Sequence, residues 1–373
     1  MTTTIIGLDI AKTVFQRHAE DASGRVLYRK RLKRDGLVKF LRSAPPALIA
    51  MEACGSAHYW GRTLRALGHE VRLIPAAYVK PFVKRNKTDA RDAEAICEAA
   101  RRPSMRTVAV KSVAQQCARA LETARTGMVQ QRTGHMNTVR GLLAEFGVIA
   151  AQGVRGFAAL CQWIEAADPS IPPALLPCLT PYLTMIRSLT EAIEGLEAQI
   201  KARVKADPVM GQLMGIPGVG PLTAHAIVSA IGDGRQFRCA RDFAAWVGLT
   251  PRQFSSGQKT RSGKIIRQGD RGLRCLLVLG ASAMLRQAKA KPPKATPPRA
   301  TPPRATPPRA SAWLRGLMAR RPVRVAVVAQ AAKTARIAWA ILTSGESYRA
   351  PRDQAGGQAE GQVGGQVPLA AAA

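Results

Sequence analysis

The residues best placed to do chemistry in this chain are acids. The stretch KTDARDAEAI at 87–96 puts Asp89 and Asp92 three residues apart at the start of a predicted helix, and residues i and i+3 share a helix face. That face continues through Ile96 and Ala100, with Ala93 beside it. The pair therefore falls on the stripe expected to face the core, where an uncompensated charge is expensive. Either a divalent cation compensates it, or Asp89 caps the helix and Asp92 sits in the first turn, favouring the helix dipole. Two further acids end predicted strands: Asp9 follows the apolar run Thr3–Leu8, and Glu52 follows the fully apolar run Ala47–Met51. Singly, Asp9 could be a turn residue and Glu52 a solvated loop acid. In open α/β sheets, however, active sites gather at the carboxyl ends of strands, so all four acids could converge. Such a set would hold hard divalent cations, which clamp both sides of an in-line phosphoryl displacement.

The elements that must position these acids read as an α/β unit. Strands are expected at Val14–Ala19 and Arg25–Arg31, joined by a turn at 22–24, and at Glu70–Ile74. Helices are expected at Asp35–Leu41 and Tyr59–Leu67. An Asp on the first strand, an acid after a later strand and an acid pair on the final helix follow the RNase H-like plan. Composition points to the substrate class. The 373 residues include 56 Lys plus Arg against 24 Asp plus Glu, a formal charge of +32, which fits a polyanionic partner, usually nucleic acid. No apolar run approaches the roughly 20 residues that span a bilayer, and MTTTIIGLDIAK lacks a signal-peptide pattern. The 7 cysteines are dispersed, without metal-ligand spacing, as expected in a reducing compartment. A soluble, cytoplasmic protein is the expectation.

Beyond the acids the pattern becomes helical. Ser112–Phe146 reads as a long helix with Arg119, Arg125, Arg132 and Arg140. Met185–Val204 repeats apolar residues at Ile186, Leu189, Ile193, Leu196 and Ile200, a seam suited either to packing within its own domain or to a dimer contact. Gly147–Pro181 between them reads as an irregular connection. LMGIPGVGPLTAHA at 213–226 resembles a helix-hairpin-helix, in which Gly215, Gly218 and Gly220 permit a tight turn and amides could face a phosphate. An ordinary helical turn is the alternative, and His225 is expected to be a core or surface residue. The segment 246–271 is polar and basic, with Arg252, Lys259, Arg261, Lys264, Arg267 and Arg271 around Ser255, Ser256 and Gly257. Ser-Ser-Gly is common in flexible loops, but guanidinium groups here would draw in a phosphate and stabilise its developing charge. A helix is expected at Leu273–Arg286, then tandem ATPPR repeats read as an extended linker. A basic helix with Lys333 and Arg336 is expected at Val323–Leu342, then a disordered Gly/Gln/Ala tail.

With these residues in place, the chain resembles the DEDD transposases of bacterial insertion sequences, the insertion-sequence-110 type. The blocks that match are GLDIAK at Gly7, MEACGSAHYWG at Met51, KTDARDAEAI, GIPGVG, GLTPRQFSSGQKTRSGKIIRQGDRGLR at Gly248 and VAVVAQAAKTARIAWAIL. The resemblance implies an α/β RNase H-like (RuvC-like) catalytic domain over 1–105 and a mainly α-helical connector over 106–206. A C-terminal transposase domain with a helix-hairpin-helix would follow over 207–345; composition, not the resemblance, adds a Pro-rich insertion at 291–310 and a disordered tail at 346–373. It implies that Asp9, Glu52, Asp89 and Asp92 bind Mg²⁺ (or Mn²⁺), and that Ser256, with Ser255 adjacent, forms a covalent bond to DNA. Gly218, Gly220, Arg252, Lys259, Arg261, Lys264 and Arg267 would bind nucleic acid. The implied partners are DNA (element ends and target), a structured guide RNA and further copies of the chain in a dimer or tetramer, with no membrane, in the cytoplasm at the nucleoid. The ATPPR repeats and long tail depart from the pattern. Two other readings stand beside it: a metal-dependent RuvC-like nuclease of branched DNA without serine chemistry, and a nucleic-acid-binding protein without catalysis.

Overall fold

The computed structural model describes residues 4–84, 88–257, 259–289 and 311–349. The Pro-rich insertion expected at 291–310, and residues 350–373 of the tail expected at 346–373, lie outside the described residues. The chain divides into two compact units, Met1–Ala202 with His225–Arg238, and Arg203–Ala224 with Cys239–Ala373.

The first unit is built on a five-stranded sheet of order β3-β2-β1-β4-β5, with β1 Ile5–Ile10, β2 Val14–Glu20, β3 Val26–Lys33, β4 Leu48–Glu52 and β5 Glu70–Ile74. β1, β2 and β3 run antiparallel in sequence, whereas β4 and β5 join parallel to β1. Side chains alternate between the two faces. Ile6, Leu8, Phe15, Ile49, Met51 and Leu73 face α1 (Arg34–Ser43) and α2 (Ala57–Ala66), packing against Leu37, Leu41, Trp60 and Leu64. Phe15 meets Trp60 edge-on at 5.0 Å. The opposite face presents Ile5, Ala50 and Ile74 to α3 (Ala76–Val79) and α4 (Asp89–Arg101), against Val79, Ala95, Ile96, Ala99 and Ala100. Burying both faces explains why β4 reads as an unbroken apolar run.

A helical array follows: α5 Val113–Ala144, α6 Val154–Glu165 and α7 Leu176–Ala206. Gln115 and Ser112 close a reciprocal cap at the start of α5. Arg125 donates to Glu197 at 2.5 Å and Arg132 to Thr190 at 3.3 Å, so α5 and α7 lie antiparallel. The Met185–Val204 seam packs inside the chain, with Ile186, Ile193 and Ile200 buried. The expectation of an irregular connection from Gly147 to Pro181 is corrected here. It contains α6, whose Phe157, Leu160 and Ile164 supply the local core with Val139, Leu143 and Leu179. α7 begins at Leu176 and runs through Pro181.

Among its described residues the second unit is helical apart from one hairpin. It comprises α8 Pro208–Met214, the start of α9 (Pro221–Ile231), α10 Ala240–Trp246, β6 Pro251–Ser256, β7 Lys259–Ile265, α11 Arg271–Lys289, α12 Ala312–Arg320 and α13 Val323–Ser344. Leu285, Leu314 and Ala326 join α11, α12 and α13 in one core. α13 corrects a second expectation. Its 22 residues are long and apolar enough to cross a membrane by length and composition. Its Ala326, Gln330, Ala331, Thr334, Ala335, Ala338 and Ile341 are nevertheless buried within the protein. Lys333 on the same helix lies 4.3 Å from the Trp313 ring centroid.

Candidate metal centre and the serine hairpin

The acid centre forms where β1 and α4 cross. Leu8 and Ile6 face α1 and α2, so by alternation Gly7 and Asp9 face α4. At Gly7 the helix comes so close that an added Cβ would lie 2.1 Å from the Ala93 carbonyl oxygen and 2.7 Å from the Cys97 nitrogen. Only glycine admits that approach, and the approach brings the first turn of α4 over Asp9. Cys97, packed at this crossing, has its thiol pushed up to about 12, first by burial and then by the Glu20 carboxylate. It is therefore a packing residue rather than a thiolate.

Carboxylate oxygens of Asp9, Asp89 and Asp92 all lie within 4.8 Å of one another. Asp89 and Asp92 both lie in the first turn of α4, where the helix dipole favours negative charge, but neither is the N-cap. The N-cap is Thr88, whose side chain accepts from the Arg91 N–H at 3.4 Å, not Asp89. Ala93, Ile96 and Ala100 are buried as the sequence pattern demands, but Asp89 is exposed and Asp92 partly so. The acids thus sit at the rim of the core stripe, where hydration lowers the cost of their charge. Oxygen-only donors at this spacing suit a hard divalent cation.

Glu52 stands outside the three-acid group. Leu8 pairs with Met51 across β1 and β4, so Asp9 and Glu52 are the next residues at the same ends of adjacent parallel strands. Their carboxylates both bear on Cys54, whose thiol is raised by desolvation, then by Glu52 and then by Asp9. Cys54 is a neighbour of the centre that the acid pattern alone did not single out; its place two residues after Glu52 was the available signal. His225, in the first unit, is fully buried. Its Nδ1 lies 2.8 Å from Glu122, which also accepts from Ser229 at 2.6 Å. It is a core histidine.

The serine segment is a β-hairpin rather than the polar loop expected, with Ser256 paired to Lys259 and Ser255 to Thr260. Every residue from Pro251 to Ser256 is exposed. Alternation separates the two serines. Ser256 shares a face with Phe254 and, across the pair, with Lys259 and Arg261. Arg252 joins this face: a Cβ on Gly263 would lie 2.9 Å from the Phe254 ring and 3.7 Å from the Arg252 Cβ. Ser255 shares the other face with Gln253, Thr260 and Ser262. Lys264 is exposed near the hairpin base, and Arg267 just beyond it has a positive φ of 58°. The base is tightly closed. An added Cβ would lie 2.2 Å from the Gln268 oxygen at Gly248 and 1.8 Å from the Trp246 oxygen at Gly269. Arg274 donates to the Val247 and Gln268 carbonyls, both at 2.7 Å.

The 215–220 turn between α8 and α9 is partly committed to packing. Gly218, at φ 82°, lies against Gly280 of α11, where a Cβ on Gly280 would fall 2.0 Å from the Gly218 oxygen, while Gly220 has open space before it.

Comparison with known proteins converges on one family. A model described as "Transposase", for the DEDD transposases of IS110 type, matches residues 6–147, and one described as "Transposase IS116/IS110/IS902 family" matches 210–295. The chain is 46% identical over 351 residues to a probable family 20 transposase of Pseudomonas aeruginosa, covering 94% of this chain and 99% of the relative. It is 40% identical over 346 residues to the transposase for insertion sequence element IS1111A of Coxiella burnetii, covering 92% and 91%. To the transposase for IS1328 of Yersinia enterocolitica it is 36% identical over 345 residues, covering 92% and 98%. An acid cluster on a mixed sheet, a helical C-terminal unit and this end-to-end similarity place the chain in the IS110 family of insertion-sequence transposases.

Proposed function

We propose that this transposase cuts and rejoins DNA strands through a covalent bond between Ser256 and a backbone phosphate, with Mg²⁺ (or Mn²⁺) held by Asp9, Glu52, Asp89 and Asp92. The observation that supports it most is the convergence of Asp9, Asp89 and Asp92, from elements far apart in sequence, to within 4.8 Å. A divalent cation bound there supplies positive charge against phosphate oxygens. The strand order, with an antiparallel β1-β2-β3 half and a parallel β1-β4-β5 half, supports an RNase H-like (RuvC-like) assignment of residues 1–105. A helical connector over 106–206 and a transposase domain over 207–345 complete the division.

Ser256 is favoured over Ser255 by its company. Lys259, Arg261 and Arg252 share its side of the hairpin and would draw a phosphate to that hydroxyl. As the Ser256 Oγ–P bond forms, a bridging P–O bond of the strand breaks, and the departing strand end takes up a proton as a hydroxyl. Attack by another strand hydroxyl on the phosphoserine reverses this, restores serine and joins the new strand. Lys264 and Arg267 extend the basic surface, and the α8–α9 turn, with Gly218 and Gly220, serves as a helix-hairpin-helix gripping backbone without reading sequence. Membership of the family further suggests a structured guide RNA, a dimeric or tetrameric working form, and a cytoplasmic, nucleoid-associated site of action.

The test is covalent trapping. The protein is incubated with element-end DNA, RNA from the element's flank and Mg²⁺, then denatured. An adduct mapped to Ser256, absent in Asp9→Ala, is the expected result. Nicked DNA without adduct would instead establish a metal-only nuclease.

A further inference from the structure

Beside the acid cluster, the sheet itself presents cations in register with Asp9. Asp9 pairs with Gln16 across β1 and β2, and Gln16 pairs with Arg31 across β2 and β3. Paired residues of antiparallel strands project from one face, so Asp9, Gln16 and Arg31 form a row on the face that α4 covers. With strands roughly 4.8 Å apart, the Arg31 backbone stands about 10 Å from that of Asp9. Gln16, Arg17, Arg29, Lys30 and Arg31 line a shallow pocket together with Ala90 of α4; of its cations Arg17 and Lys30 lie by the Phe40 ring, which packs with the α1/α2 side of the sheet. Ala90 follows Asp89 directly, so the pocket abuts the acids.

The pocket's cations differ in their commitments. Arg29 donates to His18 Nδ1 at 3.2 Å and lies 3.7 Å from Glu94, which is also bound by Lys84 at 2.5 Å. Arg31 is exposed, and among the described residues no acid lies within ion-pair distance of it. It belongs to the edge strand β3, where RVLYRKRLKR at 25–34 has Arg25, Arg29, Lys30, Arg31, Lys33 and Arg34 and no acid. Lys and Arg on an edge strand also discourage strand addition. That need is met by charge anywhere along the edge and does not call for a cavity beside the acids.

We propose that Arg31 and Gln16 bind a backbone phosphate of the nucleic-acid strand acted on at the acid cluster, close along the strand to the reacting phosphate. The inference rests on the reading of the acid centre given above. The guanidinium fork matches phosphate oxygens, and the Gln16 amide adds a neutral donor. The row then sets where along the strand the acids act, because carboxylates alone repel the backbone and fix no register.

The experiment uses the full chain and a fluorescein-labelled single-stranded DNA oligonucleotide, titrated in EDTA at several salt concentrations. Arg31→Ala is expected to bind several-fold more weakly and to lower the steepness of log K against log salt by about 0.7, the share of one single-strand phosphate contact. Arg31→Lys should keep the slope. Neutral methylphosphonates, placed singly along the oligonucleotide, should weaken wild-type binding at one position to which Arg31→Ala is indifferent. Unchanged affinity and slope in Arg31→Ala overturn the proposal even where Asp9→Ala has lost cleavage, and leave β3 as an edge guarded by charge. An Asp9→Ala protein that still cuts overturns the reading of the acid centre, whatever the slope.

Discussion

The acid centre and the serine hairpin solve opposite positioning problems. Asp9 and the Asp89/Asp92 pair are about eighty residues apart and meet because α4 lies almost on the backbone of β1 at Gly7. Their geometry is inherited from a buried core. The hairpin is local in sequence and exposed on both faces. Its geometry comes from strand pairing and from a closed base at Gly248, Gly269 and Arg274. A site set into a core should fail when the core is disturbed; a site on an exposed hairpin should fail only when its own atoms change.

The largest effects test that contrast directly. Asp9→Ala and Ser256→Ala should each lower strand joining by about 10³-fold or more, as expected for members of a unit that acts together. Calorimetric Mn²⁺ titration should separate them, with binding lost in Asp9→Ala and kept in Ser256→Ala. Next comes a matched pair of glycine substitutions. Gly7→Ala should destabilise the protein by about 2–3 kcal/mol in urea unfolding, since the new methyl collides with backbone, and should weaken Mn²⁺ binding with it. Gly257→Ala, at φ 56° with open space around it, should cost about 1 kcal/mol of backbone strain, a smaller shift of the urea midpoint, and should leave Mn²⁺ binding unchanged.

A smaller effect belongs to the first unit. His58 accepts the Lys111 N–H at 3.2 Å, and burial, then Lys111, then Arg62 hold its pKa down to about 4 from 6.5. Between those values the unfolded chain binds the proton and the folded one does not, so stability should fall as pH drops through that window. After discounting for partial solvent screening the loss is about 1–2 kcal/mol. It should vanish in His58→Gln, as chemical denaturation at pH 7 and pH 4.5 would show. The smallest effect is a near-zero: Ser256→Ala should leave stability within about 0.5 kcal/mol of wild type.

What could be read from the sequence follows the same division. The buried strands announce themselves: Ala47–Met51 anticipates β4 Leu48–Glu52 to within a residue, and Glu70–Ile74 is β5. The face of α4 was legible because Ala93, Ile96 and Ala100 repeat at helical spacing. The collision that makes Gly7 necessary was not, because a glycine in a strand does not name the backbone it will touch. The hairpin was missed for a related reason. With neither face buried, β6 and β7 have no apolar alternation, and Ser-Ser-Gly amid charges reads as loop. α6 was hidden by the Gly and Pro residues on either side, although Phe157, Leu160 and Ile164 have helical spacing. Asp89 has the side chain of a cap, but Thr88 before it holds that position.

The contact between Gly218 and Gly280 has a mechanical consequence. α11 leaves the clamped base of the hairpin at Arg271 and, further along, presses its own backbone against the 215–220 turn. A pull on the hairpin therefore travels down a helix and arrives at that turn through main-chain atoms. Side chains can rotate out of the way of a load; a glycine-to-glycine contact cannot. Turning α11 by one residue would bring a side chain to the place where even a methyl group has no room. The helix is thus keyed against rotation, and a force applied at one end must either be borne by the turn or unseat it.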